Sequence, residues 1–538
     1  MTGRGSDQIA CRIKPYIQPF ERRLALTELA ALACSPPAPI GPSSETVEFQ
    51  VRSSIPPTRL AAQLAYWEQV RTPERTLATT QSLREATVNI VRNGIPWPEL
   101  FGLLPFRGEV PTPNRRCLRY GPHGIHEYRG KFFPQLVRAL LNIAKVPTRG
   151  LVADPMCGSG TTLLEGILSG RTAIGMDLNP LSVLMSRTKC ALLSVDPRDL
   201  LESYESVRKA LLRPRPSRQT TLPYFASLPP HDQQYLLRWF SRQVLADLDQ
   251  IATIVAGIEQ PAVRDLMRLA LSNILRRVSW QKDDDLRVRK EVLLDAEIDP
   301  IREFLEELGR SVRLVLGFVL QNGRASLGPY DVSEGDARVV HRAWKRWRGK
   351  VDVVVTSPPY ATALPYLDTD RLSLIYLRLL TRREHRRRDQ EMIGNREITD
   401  SNRNAYLDCF RSNKAELPDS VVALVERIAR LNRGANVGFR RRNLPALLAK
   451  YFLDIRQVLG GIWELLKPGA FAYVVVGDNH TIAGGKRVEI RTSNLVLDTA
   501  RSVGFDIMES TPMEMLVSRD IFRRNAVASE VILAVRKP

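Results

Sequence analysis

Cysteine is scarce in this chain of 538 residues. The six, Cys11, Cys34, Cys117, Cys157, Cys190 and Cys409, are scattered and form no Cys-x-x-Cys pair. That spacing argues against a zinc site and against a secreted disulfide framework. Histidine is equally sparse, with six. His123 and His126 stand three apart without a third ligand in view, so no metal is expected. No apolar run reaches the ~18 residues of a membrane span, and the opening Met1 to Gln8 lacks the apolar segment of a signal peptide. A cytoplasmic protein with no membrane partner is the expectation. Acidic residues are also in short supply: 58 Asp and Glu face 78 Lys and Arg, a formal charge of +20. Such a surplus suggests a polyanionic partner. No internal repeat or low-complexity tract is present.

Against these absences, one stretch stands out. Val351-Asp352-Val353-Val354-Val355 is a β-branched run that reads as a strand buried on both faces of a parallel sheet. Thr356-Ser357-Pro358-Pro359-Tyr360 follows it. Neither proline can donate to a ladder, so the strand ends there in a stiff turn. Open α/β sheets place ligands at this carboxyl edge. The turn suits a planar ring bearing an amino group. Tyr360 can stack on the ring, while Ser357 and a proline carbonyl accept hydrogen bonds from the amine.

A second constellation runs from Leu151 to Thr162 as a strand, a Gly-rich turn and a helix start. Thr172 to Asp177 is a further strand ending in a carboxylate. Glycines admit a ligand close to the backbone, and an acidic side chain roughly 20 residues on can bond ribose hydroxyls. This is the geometry of a nucleoside-bearing cofactor. The loop lacks the Gly-Lys-Ser/Thr ending of a P-loop, which argues against ATP or GTP.

On these residues the chain resembles the DNA amino-methyltransferases that use S-adenosylmethionine and act on cytosine N4 or adenine N6. Asp154-Pro155-Met156-Cys157-Gly158-Ser159-Gly160-Thr161 is similar to that family's cofactor loop, with Met156 in place of the usual Phe. Thr356 to Tyr360 resembles its catalytic motif, and the Ser form is similar to the cytosine-N4 branch. His126 to Pro134 resembles the segment covering the methionine end of the cofactor, and Glu334-Gly335-Asp336-Ala337 the acidic turn near its adenine. The resemblance implies catalytic roles for Ser357, Pro358, Pro359 and Tyr360. It implies cofactor contacts from Lys131, Phe132, Asp154, Cys157, Gly158, Gly160, Thr161, Asp177 and Asp336. It also implies double-stranded DNA with a flipped-out base as substrate, and restriction or defence proteins as partners. Adenine-N6 methylation, RNA base methylation and a catalytically silent DNA-binding subunit are the alternatives.

The expected fold is a Rossmann-like α/β methyltransferase sheet with a helical amino-terminal region and two long insertions. Residues 1–115 form the amino-terminal region, with helices from Ile17 to Cys34, Arg59 to Val70 and Ser82 to Arg92. The core occupies 116–195, 326–380 and 446–538. Residues 196–325 are a mostly helical insertion with a basic group around Trp280. Residues 381–445 are an Arg-rich insertion, and Arg382 to Arg442 holds 15 Lys/Arg and 9 Asp/Glu. Either insertion is a candidate DNA-recognition region. Tyr366 is a second candidate for the base pocket, and His480 is placed near a strand end.

Overall fold

The computed structural model describes residues 7–41, 46–92, 94–107, 110, 114–128, 130, 132–213, 221–282, 290–292, 298–323, 326–361, 366–396, 398–433, 437–514 and 529–538. The amino-terminal region departs from the helical expectation. It contains β1 (Asp7–Ile13), β2 (Ala38–Pro39), β3 (Glu48–Ser53), β4 (Trp67–Arg71) and β5 (Thr76–Ala78), joined as an antiparallel sheet in the order β2-β3-β1-β4-β5. The helices Pro19–Ala33 and Thr80–Arg92 stand where expected. The helix expected over Arg59 to Val70 stops at Gln63, and the chain turns into β4. The physical reason is period-2 burial: Phe49, Val51 and Ser53 of β3 point inward, alternating with more exposed neighbours. Four-residue apolar spacing in the flanking helices masks these short runs.

The central sheet contains β6 (Leu151–Asp154), β7 (Thr172–Asp177), β8 (Tyr330–Glu334), β9 (Val351–Thr356) and β10 (Leu466–Gly477). A small hairpin, β11 (Asn479–Ala483) and β12 (Lys486–Ile490), leaves the end of β10. The sheet is completed by β13 (Asp506–Glu514) and β14 (Ser529–Arg536). The order is β13-β14-β10-β9-β6-β7-β8. All contacts from β10 to β8 are parallel, and β14 runs antiparallel to both neighbours. This is the expected Rossmann-like arrangement. From β6 the chain moves outward to β7 and β8, then returns to place β9 on the other side of β6. Such a reversal opens a crevice at the carboxyl ends of the two central strands.

Both faces of the sheet are covered, as parallel strands require. Val152, Val353, Val355 and Val475 pack with the helix Pro134–Ile143 and the amino-terminal region. Ala153, Val354, Val474 and Val476 pack with the long helix Phe439–Leu465 and with Thr492–Val503. The amino-terminal sheet is therefore part of one packed body with the core.

The first insertion is helical as expected, with Pro197–Leu211, Arg242–Ala256, Pro261–Leu275 and Pro300–Asn322 sharing a core with Leu367 to Leu380. The second is more regular than its Asn- and Gly-containing sequence suggests. It holds the helices Arg382–Glu391, Asp400–Ser412 and Asp419–Asn432. Its last arginines open the helix Phe439–Leu465, which runs through Pro445 and across the expected boundary at 445.

Candidate active site

The loops after β6 and β9 meet because those strands are neighbours. Their ends are tied by a buried contact: the Thr356 hydroxyl donates to Asp154 at 2.7 Å. The Met156 amide donates to the same carboxylate at 3.1 Å. Burial raises the Asp154 pKa to about 7 against these hydrogen bonds. Asp154 thus lies beneath the loop and does not line the crevice. Gly160 is also outside the lining. A Cβ there would sit 2.7 Å from the Ser186 hydroxyl, and its φ of +78° suits glycine.

The crevice is a cleft of about 840 Å³. One wall is formed by Phe132, Cys157, Gly158, Thr161, Asp177 and Asp336, the other by Ser357, Pro358, Pro359 and Tyr360. Lys131 lies outside the described residues, as does the side chain of Tyr366. Gly158 has φ +47°, and a Cβ would fall 2.8 Å from the Tyr128 ring, so the ring lies directly on the loop. The amides of Gly158 and Asn179 each donate to Asp177 at 2.8 Å. Burial still raises the Asp177 pKa to about 6. Burial acts the same way on Asp336, but hydrogen bonds from Arg338 at 2.7 and 3.0 Å outweigh it and lower its pKa. Burial holds the Cys157 thiol protonated, well above its ordinary range.

On the opposite wall the Ser357 hydroxyl donates to the Val475 carbonyl of β10 at 2.9 Å. With its proton committed there, its oxygen is left as an acceptor toward the cleft. Tyr360 is 6% exposed, and its phenol donates to Glu530 of β14. Gly394 closes against this turn: a Cβ would meet the Tyr360 carbonyl at 2.9 Å. The adjoining Met392 and Ile393 also line the cleft.

Residues 126–193 match the family described as UPF0020, RMKL-like, methyltransferase domain. The matched span holds the loop after β6, Asp177 and the helix behind them. The chain carries a methyltransferase domain. A Type II methyltransferase of Kocuria varians, M.MvaI, is 24% identical over 392 residues, covering 70% of this chain and 80% of its own length. M.BsoBI, a Type II methyltransferase of Geobacillus stearothermophilus, is 22% identical over 428 residues, 70% of this chain and 79% of its own. Among solved structures, TrmN from Thermus thermophilus aligns over 99% of both chains at 12% identity with a TM-score of 0.33.

Several residues around the cleft and its supports have positions that local sequence does not signal. Glu530 reaches Tyr360 from a strand 170 residues away. Lys189, fully buried on the helix Pro180–Ala191, donates to the Ser159 carbonyl at 2.8 Å and backs the loop after β6. Burial lowers its pKa to about 7. The histidine pair is used internally: His123 bonds Glu165 at 2.9 Å, and His126 bonds Ser272 at 3.0 Å. In the run Arg386-Arg387-Arg388, the last residue turns inward. Arg388 donates to the Leu178 carbonyl at 2.8 Å and pairs with Glu334. His480 lies exposed on β11.

Proposed function

We propose that the chain transfers a methyl group from S-adenosylmethionine to the exocyclic N4 amine of cytosine, in a base turned out of double-stranded DNA. The carrying observation is the Ser357 hydroxyl, whose proton is engaged by Val475, so that it faces the cleft as an acceptor beside Tyr360 and opposite the cofactor loop. Two relatives named as Type II methyltransferases, together with the charge of +20, support DNA as the substrate.

The cleft fits the cofactor. Its described lining has two carboxylates, Asp177 and Asp336, and neither lysine nor arginine. That balance suits an uncharged nucleoside joined to a cationic sulfonium and disfavours a phosphate. Asp177 would accept from ribose hydroxyls, Gly158 would admit the backbone-close part of the ligand, and Asp336 would face the adenine. S-adenosylmethionine supplies an electrophilic methyl group on a positively charged sulfur.

The target amine is a weak nucleophile because its lone pair is delocalised into the ring. Ser357 and the Pro358 carbonyl accept hydrogen bonds from its two N–H groups and draw the nitrogen toward tetrahedral geometry; one of the two protons is released to solvent once the methyl group is bonded. Tyr360 stacks on the ring and fixes the direction of approach. The residues act through positioning and electrostatics. No cysteine nucleophile is required, consistent with the buried, protonated thiol of Cys157. Turning the base out of the stack costs a few kcal/mol.

The same acceptors would serve adenine N6; the choice of cytosine rests on Ser at position 357. Mass spectrometry of nucleosides from expressing cells tests the assignment. N4-methylcytosine in DNA is expected. N6-methyladenine alone would reassign the base, and modification confined to RNA would reassign the substrate.

A further inference from the structure

We propose that an open arginine patch, built around Asn432 at the tip of the β11–β12 hairpin, binds DNA phosphates beside the target nucleotide. The inference rests on the reading of DNA as substrate.

Pro445 interrupts the hydrogen bonding of the helix Phe439–Leu465, because a proline has no N–H to offer the carbonyl four residues earlier. That carbonyl belongs to Arg441. The Asn432 side-chain amide fills the vacancy, donating to it at 2.7 Å. The carbonyl oxygen of the same amide accepts from the Gly484 amide at 3.0 Å. One side chain therefore fastens together the end of the helix Asp419–Asn432, the first turn of the next helix and the hairpin tip. Close packing confirms the junction: a Cβ on Gly484 would lie 2.2 Å from the Leu431 carbonyl.

Arg427, Arg430, Arg433, Arg441, Arg442 and Lys486 are carried by the elements that meet at this junction, and all are exposed. None has a carboxylate partner among the described residues. The nearby acids are engaged elsewhere: Glu426 by Lys414, and Glu489 by Arg487. The contrast with Arg388, which is spent on internal contacts, separates the two arginine runs. Arg441 and Arg442 also sit in a helix's first turn with no acid beside them, where the macrodipole disfavours cations. A polyanion relieves both the mutual repulsion and the dipole.

The patch has a fixed relation to the active site. Asn479, at the root of the hairpin, donates to the Ala361 carbonyl at 2.9 Å, next to Tyr360. The five residues of β11 then span roughly 15 Å to the tip at a strand's rise. That is about the width of a DNA groove. A duplex whose base enters the cleft would bring backbone phosphates to the arginines. Contacts of this kind set register and affinity without reading sequence.

The test measures binding of the full chain to a DNA duplex of about 25 base pairs over a series of KCl concentrations. R430Q/R433Q/R441Q/R442Q should weaken binding more than tenfold at low salt and flatten the log–log salt slope by about 0.9 for each lost contact. Affinity for S-adenosylmethionine should be unchanged, since no substituted residue lines the cleft. R383Q/R386Q, exposed on the other arginine run, should keep the wild-type slope. R441Q alone, expected to lower the slope by up to about 0.9, serves should the fourfold variant fail to fold. Wild-type slope and affinity in a folded fourfold variant would overturn the patch. Failure of the underlying reading looks different: the wild-type chain would bind or methylate RNA in preference to the duplex.

Discussion

Ser357 lies just past the end of β9 and Val475 on the adjacent β10, and the hydroxyl of the first donates to the carbonyl of the second at 2.9 Å. A serine whose proton is committed in this way can only accept from a ligand in the cleft. Ser357→Ala should therefore lower single-turnover methyl transfer by a factor equivalent to about 1–3 kcal/mol, the value of one buried hydrogen bond partner. Cofactor affinity, read by calorimetry, should stay at the wild-type value. An equal loss in cofactor binding would show that the side chain serves the loop and not the amine.

Tyr360 and Glu530 form a second pair across the sheet. Burial raises the pKa of Glu530, and the hydrogen bond from Tyr360 opposes that shift. Glu530→Ala would remove the carboxylate that accepts from the buried phenol and loosen the ring's position. The expected result is a rise in KM for DNA and a fall in kcat, together worth about 1–3 kcal/mol. Glu530→Gln retains an acceptor and should recover most of the activity. If alanine and glutamine behave alike, the carboxylate does not position the ring.

If Asp177 holds the cofactor as proposed, cofactor binding should depend on pH. Its carboxyl titrates near 6 in the folded chain, above its ordinary value of 3.8. A raised pKa means a stabilising contribution to the folded state that is complete below about pH 4 and lost as pH rises through about 6. Ribose hydroxyls donating to the ionised form would reverse that preference. Affinity for S-adenosylmethionine should consequently increase from pH 5 to pH 7.5, with proton release on binding near pH 6. Asp177→Asn should remove the proton release and weaken binding by about 1–3 kcal/mol. Calorimetry in buffers of different ionisation enthalpy reads both quantities.

Much of the cleft's geometry was legible in the sequence because it is carried by consecutive residues. The run Val351 to Tyr360 specifies a buried strand and its termination, and Asp154 to Thr161 specifies a turn whose glycines occupy positive φ. The wider fold was legible through the β-branched strands of the sheet. Glu530 was not, since nothing near it in the chain announces that β14 will lie two strands from β9. The amino-terminal sheet was hidden by its short strands, whose alternation is weaker than the helical spacing around it. Arginine runs carry no signal of direction: Arg388 turns inward to a carbonyl, whereas Arg441 and Arg442 remain outside, and only tertiary packing distinguishes them. Asp154 illustrates the same limit, because its place beneath the loop depends on Thr356, 202 residues later.

Lys189 supplies a stability signature behind the loop after β6. Its amine is fully buried beside the Ser159 carbonyl, within the influence of Arg119, Cys190 and Cys157, and burial keeps both thiols uncharged. Burial lowers its pKa from 10.5 to about 7. A lysine with a depressed pKa contributes stability that is present above pH 10.5 and lost as pH falls through 7, because the buried site must then hold a charge. Lys189→Met keeps the length and removes the titration. Wild type should therefore lose thermal stability relative to this variant as pH falls from about 10 to 7, and the difference should level off below 7. Methionine also gives up the hydrogen bond to Ser159, so the variant's cofactor affinity should fall at every pH by about 1 kcal/mol. Thermal unfolding of both proteins across this range, with calorimetric titration of S-adenosylmethionine at its two ends, separates the charge effect from the hydrogen bond. Parallel stability curves would show that Lys189 keeps one charge state throughout, and the role left to it would be packing alone.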